Sequence, residues 1–213
     1  MDSNGRILKE WHGKTVIHSD KRFAYEDAQE IIEGNDTSYT GEDRVYPLMV
    51  NQLNQLAQKI RKKRIKDGSI EMGGIEVRFK LAEDDKKPIG VYFKEQKEAN
   101  KLIEEFMLLA NKSVAKLLSS NSRTNVFRVH DTPNMEKLTA LSNVCRTFGH
   151  EFKLEGESED LKKSINELLR DVKGTPEENM ISTIVTRCMS KATYTIQNIG
   201  HYGLGFTHYS HFT

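Results

Sequence analysis

Hydrophobic positions along the 213-residue chain change period several times, and each change predicts an element. Residues 5–23, GRILKEWHGKTVIHSDKRF, set short apolar pieces (Ile7, Leu8, Trp11, Val16, Ile17) between turn-forming residues, which predicts strands. In AYEDAQEIIEG, Ala24, Ala28, Ile31 and Ile32 recur at helical spacing and Gly34 supplies the stop, so a short helix is expected. After the loop NDTSYTGED a long helix is predicted from Asp43 to Lys66. Its apolar stripe runs through Val45, Met49, Leu53, Leu56 and Ile60, and Pro47 is tolerated near the first turn.

IEVRFKL and PIGVYFKE alternate with period two on either side of the charged turn AEDDKK, the pattern of a β-hairpin. ANKLIEEFMLLANKSVAKLLSS has the strongest helical pattern, with Leu102, Phe106, Leu109, Val114 and Leu117 or Leu118 assigned to the buried face. VFRVH reads as a short strand. Beyond Pro133 follow three helices, NMEKLTALSNVCRTFG, SEDLKKSINELLRDVKG and TPEENMISTIVTRCMSKA. Ser158 and Thr175 stand at N-cap positions, Thr175 with Pro176 at the first helical position and Glu178 at capping-box spacing. No repeat or low-complexity tract interrupts the pattern. The fold class is α+β, with helix in the majority.

Composition sharpens this. Hydrophobic residues make up 37% and charged residues 30%, enough for a core under a highly charged surface. Thirty-two basic against 31 acidic residues give a net charge of +1, which excludes coating nucleic acid by bulk charge and leaves room for a local basic groove. The basic run Lys59–Lys66 suits a helix C-terminus and reads first as a solvated face. Cys145 and Cys188 lie far apart without CxxC spacing, as reduced thiols of a cytoplasmic protein do. No apolar run approaches the ~20 residues that span a bilayer, and the first twenty residues carry no signal-peptide core. The expected address is therefore the cytoplasm, with no membrane partner.

The final segment, NIGHYGLGFTHYSHFT, gathers His201, His208 and His211 with four aromatic rings. These histidines cannot share one helical face, and neither Cys nor HExxH accompanies them, so packing or backbone hydrogen bonding outweighs a zinc site. GHYGLG lacks the Lys-Ser/Thr that completes a P-loop. Tyr202, Phe206, Tyr209 and Phe212 suit either base-stacking platforms or core. Glu104 and Glu105 are neighbours in an apolar helix, so at least one approaches the buried side, where a carboxylate needs a partner or a task. Pattern alone leaves these alternatives open.

The stretches HSDKRFAYEDAQEIIEG, GVYFKEQKEANKLIEEFMLLANKSVAKLL, FRVHD followed by P-x-x-E-KL, and ATYTIQNIGHYGLGFTHYSHFT, in this order, resemble the catalytic domain of the RNB (ribonuclease II/R) family, in its ribonuclease R form. The resemblance covers nearly all 213 residues. It implies a processive 3′→5′ exoribonuclease that degrades single-stranded RNA to nucleoside 5′-monophosphates with magnesium, as a monomer. The family's magnesium-holding aspartates precede the part matching residue 1, and an arginine-bearing stretch follows the part matching HFT. The chain is thus expected to be one partial RNB domain over residues 1–213, with no metal ligands of its own and no exonuclease activity alone. A non-catalytic RNA-binding module derived from the same domain is the rival.

Residue by residue, the resemblance places Tyr25 near the 3′-terminal nucleotides. It gives one of Glu104 and Glu105 a hydrogen bond to the terminal nucleotide near the catalytic centre, with Glu105 favoured. Asn198, His201, Tyr209 and His211 fall on positions that line or shape the active-site floor, where Gly200 and Gly203 allow close backbone approach. Met72 stands where relatives often place an aromatic that stacks on the 3′-terminal base, which implies a looser grip on that base. Together these residues are expected to line one continuous furrow from Tyr25 past Glu104 and Glu105 to the terminal histidines.

Overall fold

The computed structural model describes all residues except 37, 72–75, 85, 95, 122, 123, 155, 157 and 213. Helix α1 spans Tyr25–Glu33; the Asp27 carboxylate accepts the Ala24 N–H at 3.3 Å, and Gly34 ends the helix with φ 76°. A short 3-10 turn, Gly41–Arg44, leads into α2, Val45–Lys66. Strands β1 (Glu76–Leu81) and β2 (Pro88–Lys94) pair antiparallel, with Val77 opposite Phe93 and Phe79 opposite Val91 on one exposed face. Helix α3, Glu98–Ser120, precedes β3, Phe127–Val129. Helices α4 (Met135–Thr147), α5 (Ser158–Asp171) and α6 (Glu178–Cys188) follow, and β4 (Thr193–Thr195) returns to pair antiparallel with β3. No described helix is long and apolar enough to cross a membrane.

Two helix groups result. Helices α1, α2 and α3 pack on one another, while α4 and α5 pack on α6. The main core belongs to the second group and includes Leu138, Leu141, Ile165, Leu168, Ile181 and Val185. Asn134 caps α4, its side chain accepting the Lys137 N–H at 2.9 Å.

Several expectations need correction. Residues 5–23 form no strand, and Leu8, Trp11, Val16 and Ile17 are exposed, so these apolar pieces are held by no sheet. The predicted α2 stripe faces outward at Val45, Met49 and Leu53, and the helix instead buries Asn54 and Ala57. On α3 the buried line runs through Leu102, Glu105, Leu108, Asn111 and Ala115, one notch from the all-apolar stripe. Polar Glu105 and Asn111 occupy it because both find buried partners. Helix α6 starts three residues after Thr175, whose hydroxyl donates back to the Val172 carbonyl, and the Glu178 carboxylate accepts from Gly174 N–H. Strand β4 had no signal apart from the β-branched Thr193 and Thr195.

Candidate functional site

The C-terminal segment is built on β3. Beyond β4 the chain crosses His130, which donates its N–H to Gly200 O (3.1 Å) and accepts from Tyr202 N–H (2.8 Å). Residues Tyr202–Leu204 make a 3-10 turn closed by Gly205, whose φ is 65°. A Cβ there would meet the Gly68 and Ser69 backbone at 3.1 Å, so the close approach of the two segments depends on this glycine. Ile70 N–H donates to Gly203 O at 2.9 Å and completes the junction.

Two histidine rings support this turn. His130 Nδ1 accepts the Gly203 N–H at 3.0 Å, and His201 Nδ1 accepts the Leu204 N–H at 3.2 Å. A nitrogen that accepts from an amide carries no proton, so both rings are neutral with hydrogen on Nε2. They stack at 4.9 Å. Burial, aided by the nearby His130 and Arg128, pushes His201 down to about 4, and burial lowers His130 as well.

Behind His201 lies Tyr209, 3% exposed and edge-on to it at 5.4 Å. Its hydroxyl accepts from Asn111 Nδ2 (3.4 Å) and shares a hydrogen bond with His211 Nδ1 (2.9 Å), and burial raises its pKa. Tyr209 and His211 therefore form a second layer beneath the floor.

A cleft of about 820 Å³ opens above that floor, between α2 and α3 on one wall and α5 and α6 on the other. His130, His201, Gly203 and Leu204 line its base. Its walls carry Arg61, Lys66 and Lys101 on one side and Lys163, Arg170 and Lys173 on the other. With Arg64, seven basic side chains line the cleft against five glutamates, and Arg61 and Lys101 are ion-paired, so the positive excess is modest and strongest along the α5–α6 wall.

The adjacent glutamates separate. Glu105 is 2% exposed, and both of its oxygens are held by Arg64, Nε at 3.1 Å and the second nitrogen in contact with Oε1. Arg64 also reaches the Ser69 hydroxyl, which donates to Gly203 O at 3.2 Å, so this pair is anchored to the floor. Glu104 lines the cleft half-exposed, and among the described residues nothing bonds its carboxylate.

Tyr25 does not join this arrangement. It stands exposed at the first turn of α1, outside the cleft lining, while Gln29, one turn further along α1, accepts the Ala99 N–H of α3. The expected furrow thus links Glu104, Glu105 and His201 but does not extend to Tyr25, and Tyr209 and His211 stand behind it. Met72 lies outside the described residues. Sequence reasoning missed Arg64, hidden in a basic run that reads as solvated, Asn166, which carries no motif, and His130, which stands in the stretch FRVHD without an assigned role. Among the described residues no three His, Cys, Asp or Glu side chains converge as a metal ion requires, so the residues present do not fit a magnesium site.

A model of the RNB domain matches residues 1–213. Ribonuclease R of Aquifex aeolicus is 30% identical over 216 residues, which cover all of this chain and 30% of that protein. RNase R of Mycoplasma genitalium, solved in complex with ribose methylated single-stranded RNA, is similar in structure with a TM-score of 0.77 and 25% identity, over 90% of this chain and 29% of its own. Yeast Ssd1, a pseudonuclease, shares the fold with a TM-score of 0.68 at 17% identity, over 99% of this chain and 25% of its own. The chain spans under a third of the length of these proteins.

Proposed function

The chain belongs to the RNB family, and from that premise we propose that its cleft holds the 3′-terminal stretch of a single RNA strand for 3′→5′ exoribonucleolytic cleavage to nucleoside 5′-monophosphates. The observation that carries this reading is the cleft itself, with basic side chains on both walls and the part-buried carboxylate of Glu104, which has no bonding partner among the described residues, on the same lining as the neutral His201 of the floor. Cations on two walls suit a phosphodiester backbone running between them. A carboxylate only accepts hydrogen bonds, so Glu104 selects a ribose hydroxyl and is repelled by phosphate. That gives a sequence-independent preference for RNA over DNA.

Hydrolysis in this reading uses magnesium, and the chain's own residues bind and orient the strand: Glu104 at the sugar, the lysines and arginines at phosphates. His201 cannot serve as a cationic contact near neutral pH, because its ring is held neutral. Tyr209 and His211 act through it, fixing the floor from beneath. The non-catalytic alternative draws support from the fold shared with a pseudonuclease and from the lack of a convergent carboxylate group among the described residues.

Fluorescence anisotropy with a labelled single-stranded oligoribonucleotide, its deoxy counterpart and heparin tests the binding reading. Tighter binding of the ribo-oligomer, lost in Glu104→Gln, supports it; equal binding of all three polyanions overturns it. Release of mononucleotides from an end-labelled strand by this chain with magnesium would exclude the non-catalytic alternative and overturn the expectation that the chain is inactive alone.

A further inference from the structure

The cleft walls belong to helix groups that pack chiefly within themselves, so something must fix the gap between them. The short segment Gly68–Glu71, directly after α2, bridges it. Ile70 is 5% exposed and sits in the core of the α4–α6 group, although its neighbours in sequence belong to α2. Upstream, Arg64 ties the same turn to Glu105 of α3. Downstream, one side chain of α5 takes hold of the segment's backbone. Asn166 Nδ2 donates to Ser69 O at 2.9 Å, and Asn166 Oδ1 accepts the Glu71 N–H at 2.9 Å.

This pair of bonds copies a rung of β-ladder with an amide side chain in place of a partner strand. The geometry fixes the amide's orientation, because only one flip puts the donor on the carbonyl and the acceptor on the N–H. Asn166 stands on the cleft-lining face of α5, between Lys163 and Arg170. We propose that Asn166 is a positioning residue that sets the spacing of the two cleft walls by bracing the 69–71 segment. Neither Asp, which lacks the donor, nor Ala, which lacks both groups, can make this pair of bonds, and Gln places its amide one methylene further out.

The effect on RNA rests on the cleft being the RNA site, but the spacing does not, so the two are measured separately. In the full chain, spin labels at Ile103→Cys on α3 and Met180→Cys on α6 sit on exposed positions outside the cleft lining, while native Cys145 and Cys188 are buried. Double electron–electron resonance should give one narrow distance distribution, broadened and shifted in Asn166→Ala and Asn166→Asp. Ser164→Ala is the control, since it deletes two bonds from α5 to the Lys153 backbone, at 3.1 and 2.7 Å, without touching the 69–71 segment. An unchanged distribution in both Asn166 variants overturns the proposal, as does an equal change in the control. Should the variants fail to fold, hydrogen exchange of the unaltered chain decides: slow exchange at the Glu71 amide supports the brace and fast exchange excludes it. Shifted walls with undiminished RNA affinity would uphold the brace and sink the cleft as the RNA site.

Discussion

Arg64 holds both carboxylate oxygens of Glu105 in a buried pair that joins α2 to α3 and, through Ser69, to the floor at Gly203. Removing one partner strands a charge with no water, which costs about 3–5 kcal/mol. Glu105→Ala and Arg64→Ala should each lower stability on that scale in urea unfolding. The double variant should cost less than the sum of the two. Additive losses would show that the pair does not act as a unit.

Glu104, one residue away, should behave differently. It has no described partner to lose, so Glu104→Gln should leave the unfolding free energy unchanged within about 0.5 kcal/mol. Its effect should appear in the ratio of RNA to DNA affinity. A large stability loss with an unchanged ratio would move the sugar-reading role away from this residue.

Two histidines respond to pH with opposite sign. The folded value of His201 is about 4 against 6.5 unfolded, so between these values the unfolded chain binds a proton that the folded chain refuses. Its contribution is complete above pH 6.5 and is lost as pH falls toward 4, about 2 kcal/mol after allowance for partial exposure. The difference in unfolding free energy between the parent and His201→Gln, followed over that window, should shrink as pH falls.

His150 works the other way. Its two ring nitrogens face carboxylates, Asp171 at 2.5 Å and Glu177 at 2.9 Å, and only a doubly protonated ring donates to both. Hydrogen bonds to Glu177 and then Asp171 raise its pKa, so its contribution is full below 6.5 and fades as pH climbs through the raised folded value. These contacts fasten the end of α5 to the start of α6. Melting curves of the parent and His150→Gln should converge on the alkaline side; a gap that widens with pH would contradict this account.

The hairpin and the helices after Pro133 were legible because one face of each decides its period. The line of α3 was not, since Glu105 and Asn111 look like surface residues until Arg64 and Tyr209 arrive from 41 and 98 positions away. Residues 5–23 misled for the converse reason: short apolar pieces become strands only where tertiary pairing receives them. The resemblance to RNB domains placed Glu104, Glu105 and His201 together at one cleft, which spacing alone could not do. It favoured Glu105 for the contact to the terminal nucleotide, whereas Glu105 is the one sequestered by Arg64 and Glu104 the one that faces the cleft, a choice that depends on the rotation of α3 against α2.

The same long-range assembly decides where charge gathers, and this can be measured. A chain with net charge +1 has little bulk attraction for a polyanion, so any strong salt dependence must come from cations the fold has collected. Each phosphate neutralised on a single strand contributes about −0.7 to the slope of log affinity against log salt. Lys173, on the α5–α6 wall, should account for one such increment, so Lys173→Ala should flatten the slope by about 0.7. Lys191 is exposed outside the cleft lining, and Lys191→Ala changes net charge by the same amount. If both variants shift the slope equally, overall charge governs binding and the cleft does not; if only Lys173 does, the phosphate path runs along that wall.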